Sequence, residues 1–187
     1  FVTKKKFRLM PWTWNDDEED HAIESVVLEH KKSGPVLKLL QDHLIARKDK
    51  QDFIFVHLHD MDTRGHADGW NLTKDSPYLQ TMFEVDAMLG ELLAVIDGDE
   101  ALSRSTAIVL TADHGGGVPY LNHHGQGLQW VNYVIPFIVW TSDGEATGEL
   151  YELNPQARQD PSLMMPAFNA WPPPVRNLDA GNLALGL

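Results

Sequence analysis

Seven residues, Thr106 to Ala112 (TAIVLTA), constrain this chain more than any others. The run is apolar, rich in β-branched side chains and bounded by polar sequence, the pattern of a buried strand rather than of a helix. Asp113-His114-Gly115-Gly116-Gly117 follows it without a spacer. A strand that delivers an acid and an imidazole straight into a glycine turn fits an open α/β sheet, because such sheets bind ligands just beyond the carboxyl ends of their strands.

The rest of the chain supplies matching elements. Residues 52–58 (DFIFVHL) predict a second strand and 134–140 (VIPFIVW) a third, with Pro136 confined to its start or to an edge position. Ser33-Gly34-Pro35 opens a helix that carries Val36, Leu39, Leu40 and Leu44 at helical spacing. Asp75 or Ser76 caps another helix, with Pro77 at its first position. Its apolar stripe of Leu79, Met82, Phe83, Leu89, Leu92, Leu93 and Ile96 ends near Asp97-Gly98. Residues 1–10 read as a short strand or strand edge, and an acidic run, Asn15 to Asp20, precedes a helix over Asp20–Lys31. Asn177 to Leu187 begins a last helix. Alternating strands and helices predict one α/β domain over residues 1–187, with a mostly parallel sheet flanked by helices. Within it, residues 141–187 are irregular, broken by Pro155, Pro161, Pro166 and Pro172-Pro173-Pro174.

Composition removes several functions. A net charge of −12 and a pI near 5.0 leave no nucleic-acid platform, since the cluster Lys4-Lys5-Lys6 with Arg8 holds too few cations. The chain has no cysteine, which excludes disulfides, zinc–thiolate sites and cysteine nucleophiles. No apolar run reaches the roughly 18 residues of a membrane span. Lys4 to Arg8 is not followed by the apolar stretch of a signal peptide.

The anomaly is histidine. Of nine, His57, His59 and His66 surround the end of strand 52–58, His114 ends strand 106–112, and His123 and His124 follow it. In Asp62-Thr63-Arg64-Gly65-His66 the i,i+4 spacing suits one helical face, but Gly65 and the preceding strand favour a loop that turns both groups inward. A carboxylate and a neutral imidazole suit Zn²⁺ at roughly 2.0–2.2 Å. Adjacent Asp113 and His114 point apart unless the backbone bends sharply, which the three glycines permit. The same glycines are no phosphate-binding P-loop, for the lysine and spacing are missing. Asn122-His123-His124-Gly125 offers a last ligand from either histidine. Taken singly, these motifs are surface, capping or turn residues as often as ligands. In series, each beyond a predicted strand, they describe one divalent-metal site.

These segments resemble the alkaline phosphatase superfamily, and most closely its type I phosphodiesterase and nucleotide-pyrophosphatase-like branch. The resemblance is carried by HLHDMDTRGHADGW (57–70), the helix with VDAMLG (85–90), TADHGGG (111–117), HHG (123–125) and VIPFIVW (134–140), and PPPVRNLDAGNLALGL resembles the family's tail. It implies a site for two divalent ions, with Zn²⁺ the expected metal and Mn²⁺ the alternative. Asp62, His66 and His124 would hold one, His124 matching better than His123 because the family's late histidine precedes glycine. Asp113 and His114 would hold the other, with an early Asp and a Thr or Ser nucleophile. No early segment of that kind is evident, as Thr3 and Thr13 stand in the wrong context. The resemblance therefore implies the C-terminal part of a longer catalytic domain, completed by a missing N-terminal half or a second copy.

The implied activity is hydrolysis of small phosphate mono- or diesters. His57, His59 and Asp60 would orient the ligands, Arg64 would reach a substrate anion, Asp68 and Trp70 would shape the pocket wall, and Asp86 is a polar position on its helix. Neighbouring readings are a sulfatase, whose usual Asp-Asn pair around calcium differs from Asp113-His114, a phosphomutase, and a non-catalytic metal-binding domain without the nucleophile. Family habit suggests a periplasmic or secreted protein.

Overall fold

The computed structural model describes residues 32–117, 120–124, 129–142, 144, 147–162 and 164–186. The strand edge expected over 1–10 and the helix over 20–31 lie outside them. In chain order the elements are α1 (Ser33–Ala46), α2 (Asp60–Asp68), α3 (Pro77–Asp97), α4 (Glu100–Ser105), β1 (Ala107–Thr111), β2 (Phe137–Thr141), α5 (Leu150–Leu153) and α6 (Asp179–Gly186). Among the described residues no helix is long and apolar enough to cross a membrane.

The helix ends follow local chemistry. Pro77 occupies the first turn of α3, where its missing N–H costs nothing, and the Ser76 side chain accepts from Leu79 N at 3.2 Å. Asp99 caps α4 in the same way, accepting from Ala101 N and Leu102 N. α1 has no cap of its own from Lys32. Instead, the Asp60 carboxylate at the start of α2 accepts from Ser33 N at 2.9 Å. A carboxylate at a helix N-terminus satisfies a free donor and suits the helix dipole. This contact ties α1 to the segment that carries Asp62 and His66.

α1 and α2 both pack on α3. The core gathers Leu37 and Leu40 of α1, Leu92 and Ile96 of α3 and Leu102 of α4, joined by Leu44, Ile54, Val56, Leu58, Met88, Ile108 and Trp140. The apolar stripe of α3 is buried only in its second half. Met82 and Phe83, expected inside, are 37% and 54% exposed. α2, which packs on α3, has the polar sequence DMDTRGHAD and offers little apolar surface to cover them.

The described residues do not show the expected parallel sheet, and one expected strand is corrected. β1 and β2 pair antiparallel, with Ala107 opposite Thr141, Val109 opposite Val139 and Thr111 opposite Phe137, and they make the only sheet among the described residues. A parallel pair needs a crossover that carries the chain back to the starting end, usually by a helix. The described parts of the link from β1 to β2 contain only the 3₁₀ turn Trp130–Asn132, so the chain re-enters at the end where it left. The cross-strand pair Ile108–Trp140 reaches the helices. Residues 52–58 form no strand, and only His57 carries a bridge. Their alternation still places Ile54, Val56 and Leu58 against the core. The pattern of side chains fixes which face is buried; the ladder depends on a neighbour in register, which is non-local.

Two outcomes are expected. Ile96 is 1% exposed. Replacing it by Ala removes core contacts and leaves a cavity, so denaturant unfolding is expected to show a loss of about 2–5 kcal/mol. The Asp52 carboxylate accepts from Arg47 Nε at 2.7 Å and Nη2 at 2.9 Å, with His43 Nε2 at 3.3 Å. The Arg47 guanidinium, with help from His43, lowers its pKa to about 2 from an ordinary 3.8. A depressed carboxyl pKa contributes stability above the ordinary value and loses it as pH falls through the folded value. The Tm of Asp52→Asn is therefore expected to fall less steeply than the parent's from pH 3.8 to about 2. The difference should shrink in high salt, since the pair is partly exposed.

Candidate metal centre

Three segments meet beyond the carboxyl end of β1: helix α2, the turn 113–117 and the loop 120–124. Asp62–His66 lies on a helix, not on the loop expected from Gly65. Asp60 and Asp62 in the first turn suit the helix dipole, and Gly65 costs little because the position serves a close approach. A Cβ there would stand 2.4 Å from Trp70 Cε2. The helix stops at Gly69, whose φ of 87° is open to glycine and strained for other residues. The next residue bonds the third segment, with Trp70 N donating to Leu121 O at 2.7 Å.

The turn after β1 is held just as closely. Gly115 N donates to Asn132 O at 2.9 Å, and Gly117 N to His123 O at 2.9 Å. Asn132 is buried in the 3₁₀ turn before β2. The antiparallel return of the chain thus braces the Asp113–His114 corner from behind.

These contacts bring together the five residues singled out from sequence. His66 Nε2 lies 3.4 Å from Asp62 Oδ1 and 3.1 Å from His124 Nε2. His114 Nε2 lies 3.8 Å from Asp62 Oδ1 and 3.7 Å from Asp113 Oδ2. Asp62, His114 and His124 each offer an atom such that all three lie within 4.8 Å of one another. Two ligands of a tetrahedral zinc with bonds of about 2.0–2.1 Å stand roughly 3.3 Å apart, the range of the two closest contacts. The rings of His114 and His124 stack at 3.8 Å with an interplanar angle of 11°. His123 turns away: its Nδ1 meets Asn122 Oδ1 at 2.8 Å and its ring lies edge-on to Tyr120.

The hydrogen bonds on the far side of the rings matter more than the distances. His66 Nδ1 lies 3.3 Å from Asn122 O, and His114 Nδ1 lies 2.8 Å from Gly115 O. A carbonyl oxygen only accepts, so each Nδ1 carries a proton, and in the neutral ring each Nε2 presents a lone pair. Those lone pairs face the Asp62 carboxylate and His124. Burial, then the neighbouring His114 and His66, hold the His124 pKa below its ordinary 6.5. Burial and the Asp62 charge push the Tyr78 hydroxyl up. Lone pairs and carboxylates converging from separate segments offer a donor set for a proton or a cation.

The neighbours expected to orient the ligands have these contacts. Asp60 caps α1, and the backbone O of His59 accepts from Thr63 N at 2.9 Å at the start of α2. His57 stacks on His59 with centroids 6.5 Å apart. Arg64 is engaged by Asp68 at 2.7 Å within α2, so neither points a free charge at a ligand, and Asp86 is an exposed position on α3. The orienting groups are the Asn122 and Gly115 carbonyls, which side-chain patterns do not report. Trp70, noted from sequence only as pocket wall, lies among His66, His114 and His124.

Comparison with known proteins gives one family. The model of type I phosphodiesterase / nucleotide pyrophosphatase matches residues 3–159. That span includes α2, β1, the turn 113–117, the loop 120–124 and β2. No curated protein and no solved structure matches the chain.

The corner after β1 leaves no room at Gly115, where an added Cβ would fall 2.0 Å from Val131 O. Gly115→Ala is expected to displace the turn and cost about 1–3 kcal/mol in denaturant unfolding. A stability equal to that of the parent would mean that the turn is not held as described.

Proposed function

The chain belongs to the type I phosphodiesterase / nucleotide pyrophosphatase family, within the alkaline phosphatase superfamily, and on that premise we propose that it serves as a metal-dependent hydrolase of phosphate esters. The observation that carries the proposal is the convergence of Asp62, His66, His114 and His124, with Asp113 beside them. In this reading Asp62, His66 and His124 hold one divalent ion, and Asp113 and His114 supply part of the shell of a second. When bound, the ions neutralise charge on the phosphoryl oxygens and acidify the attacking hydroxyl. Zinc is the preferred identity and manganese the next, on the nitrogen and oxygen donors offered.

The chain's own residues prepare the site for that role. The Asn122 and Gly115 carbonyls hold protons on the outer nitrogens of His66 and His114, so that the neutral tautomer carries its lone pair on the inner nitrogen. His124, with its pKa held down, stays neutral at neutral pH and is ready to ligate. Arg64 is paired to Asp68 within α2. We assign the nucleophilic Thr or Ser, and the carboxylate that completes the second site, to sequence outside this segment. The parallel sheet of the superfamily is part of the same proposal, the pair β1–β2 standing at its margin.

A sulfatase or phosphomutase would use a related scaffold. The imidazole of His114, where a sulfatase would place an amide, favours the phosphate-ester reading. In the protein that carries the nucleophile, His66→Ala is expected to lower kcat/KM on bis(4-nitrophenyl) phosphate by at least about 100-fold and to reduce bound metal. Unchanged hydrolysis with unchanged metal content would contradict the assignment.

A further inference from the structure

The indole of Trp70 fills the space between two of the ligand-bearing segments, and it can do so only because glycines stand on both. A Cβ at Gly65 of α2 would fall 2.4 Å from Cε2 and 2.6 Å from Cδ2 of the ring. A Cβ at Gly116 would fall 2.5 Å from the same two atoms. The backbone of Trp70 joins the third segment through Leu121 O. From this position the indole meets three imidazoles: His66 at 5.0 Å and 77°, His124 at 5.7 Å and 73°, and His114 at 6.5 Å and 62° between ring planes. Tyr78, tilted against it at 6.3 Å, supports it from α3.

We propose that Trp70 is a positioning residue, which sets the orientation of the three imidazoles and thereby the metal affinity of the centre, and that Gly65 and Gly116 form the slot that seats it. The inference rests on the metal-site reading above and adds to it a residue that touches neither ion nor substrate. The physical basis is the ring geometry. An edge-to-face neighbour at these distances is attracted through its ring quadrupole and disfavours rotation of its partner. His66 and His114 are fixed from outside by carbonyls, and the indole closes the remaining freedom from within the cluster. His124 is fixed by its stack on His114 and by the indole edge.

The test is a Co²⁺ titration of the metal-free full chain, followed by the visible absorption of the bound ion, with apoprotein Tm recorded for every variant. Trp70→Leu is expected to weaken Co²⁺ binding about 10–100-fold and to change the visible bands, whereas Trp70→Phe, which keeps an aromatic edge in the slot, restores most of the affinity. Gly65→Ala should weaken binding in the parent and add little in the Trp70→Leu background, because its Cβ acts by displacing the indole. Binding by Trp70→Leu with parental affinity and bands would overturn the proposal. So would full additivity of Gly65→Ala and Trp70→Leu, or a lower apoprotein Tm without any change in Co²⁺ affinity. If the parent chain binds no Co²⁺, the metal-site reading fails and takes this inference with it, a result distinct from parental binding that ignores Trp70. Where Trp70→Leu does not fold, Gly65→Ala and Trp70→Phe carry the same comparison.

Discussion

Two backbone carbonyls, Asn122 O and Gly115 O, decide what the centre can be. Each takes a proton from the outer nitrogen of an imidazole, His66 in one case and His114 in the other. In the neutral tautomer the inner nitrogens are acceptors that face a carboxylate and a third imidazole. Acceptors gathered in this way repel unless a proton or a metal ion stands between them. The carbonyls are set by the fold: one lies in the loop that Trp70 N grips at Leu121, the other in the corner that Asn132 braces from behind. The chemistry of the site therefore depends on backbone placement as much as on the ligand side chains.

The scaffold serves that placement. The core of Leu37, Leu40, Leu92, Ile96 and Leu102 fixes α1, α3 and α4, and Ile108 and Trp140 anchor the β1–β2 pair against it. Asp60 links the start of α2 to the start of α1, only two residues before Asp62. The proposed ligands thus stand on a helix, just beyond a strand end and, for His124, on the loop 120–124. Close glycine contacts replace apolar packing around the site itself, where Gly65 and Gly116 admit the Trp70 ring and Gly115 admits the Val131 carbonyl.

Much of this was legible in the sequence, and the rest was hidden for physical reasons. The helix starts at Ser76-Pro77 and near Ser33-Gly34-Pro35 follow from local capping and φ restriction, so residues alone report them. The grouping of Asp62, His66, Asp113 and His114 with one of His123 and His124 followed from chemistry and order along the chain, and the choice of His124 from the family resemblance. The helix over Asp60–Asp68 was not legible, because Gly65 weakens it locally and the Trp70 ring packed there is a tertiary contact. The antiparallel pairing was hidden too, since strand direction depends on how residues 112–136 return and not on the apolar pattern of either strand. Met82 and Phe83 show the same limit: helical period marks a face, but the polar surface of α2 leaves that face uncovered. The orienting carbonyls belong to Asn122 and Gly115 through backbone atoms that every residue has, so no side-chain pattern could have singled them out.

The most direct measurement is X-ray absorption at the zinc edge of the purified chain loaded with one equivalent of Zn²⁺. The account predicts nitrogen and oxygen neighbours at about 2.0–2.1 Å, with the outer-shell scattering of at least two imidazoles, and loss of one imidazole in His124→Ala but not in His123→Ala. A spectrum with oxygen neighbours alone, or one that changes with His123 and ignores His124, would contradict it.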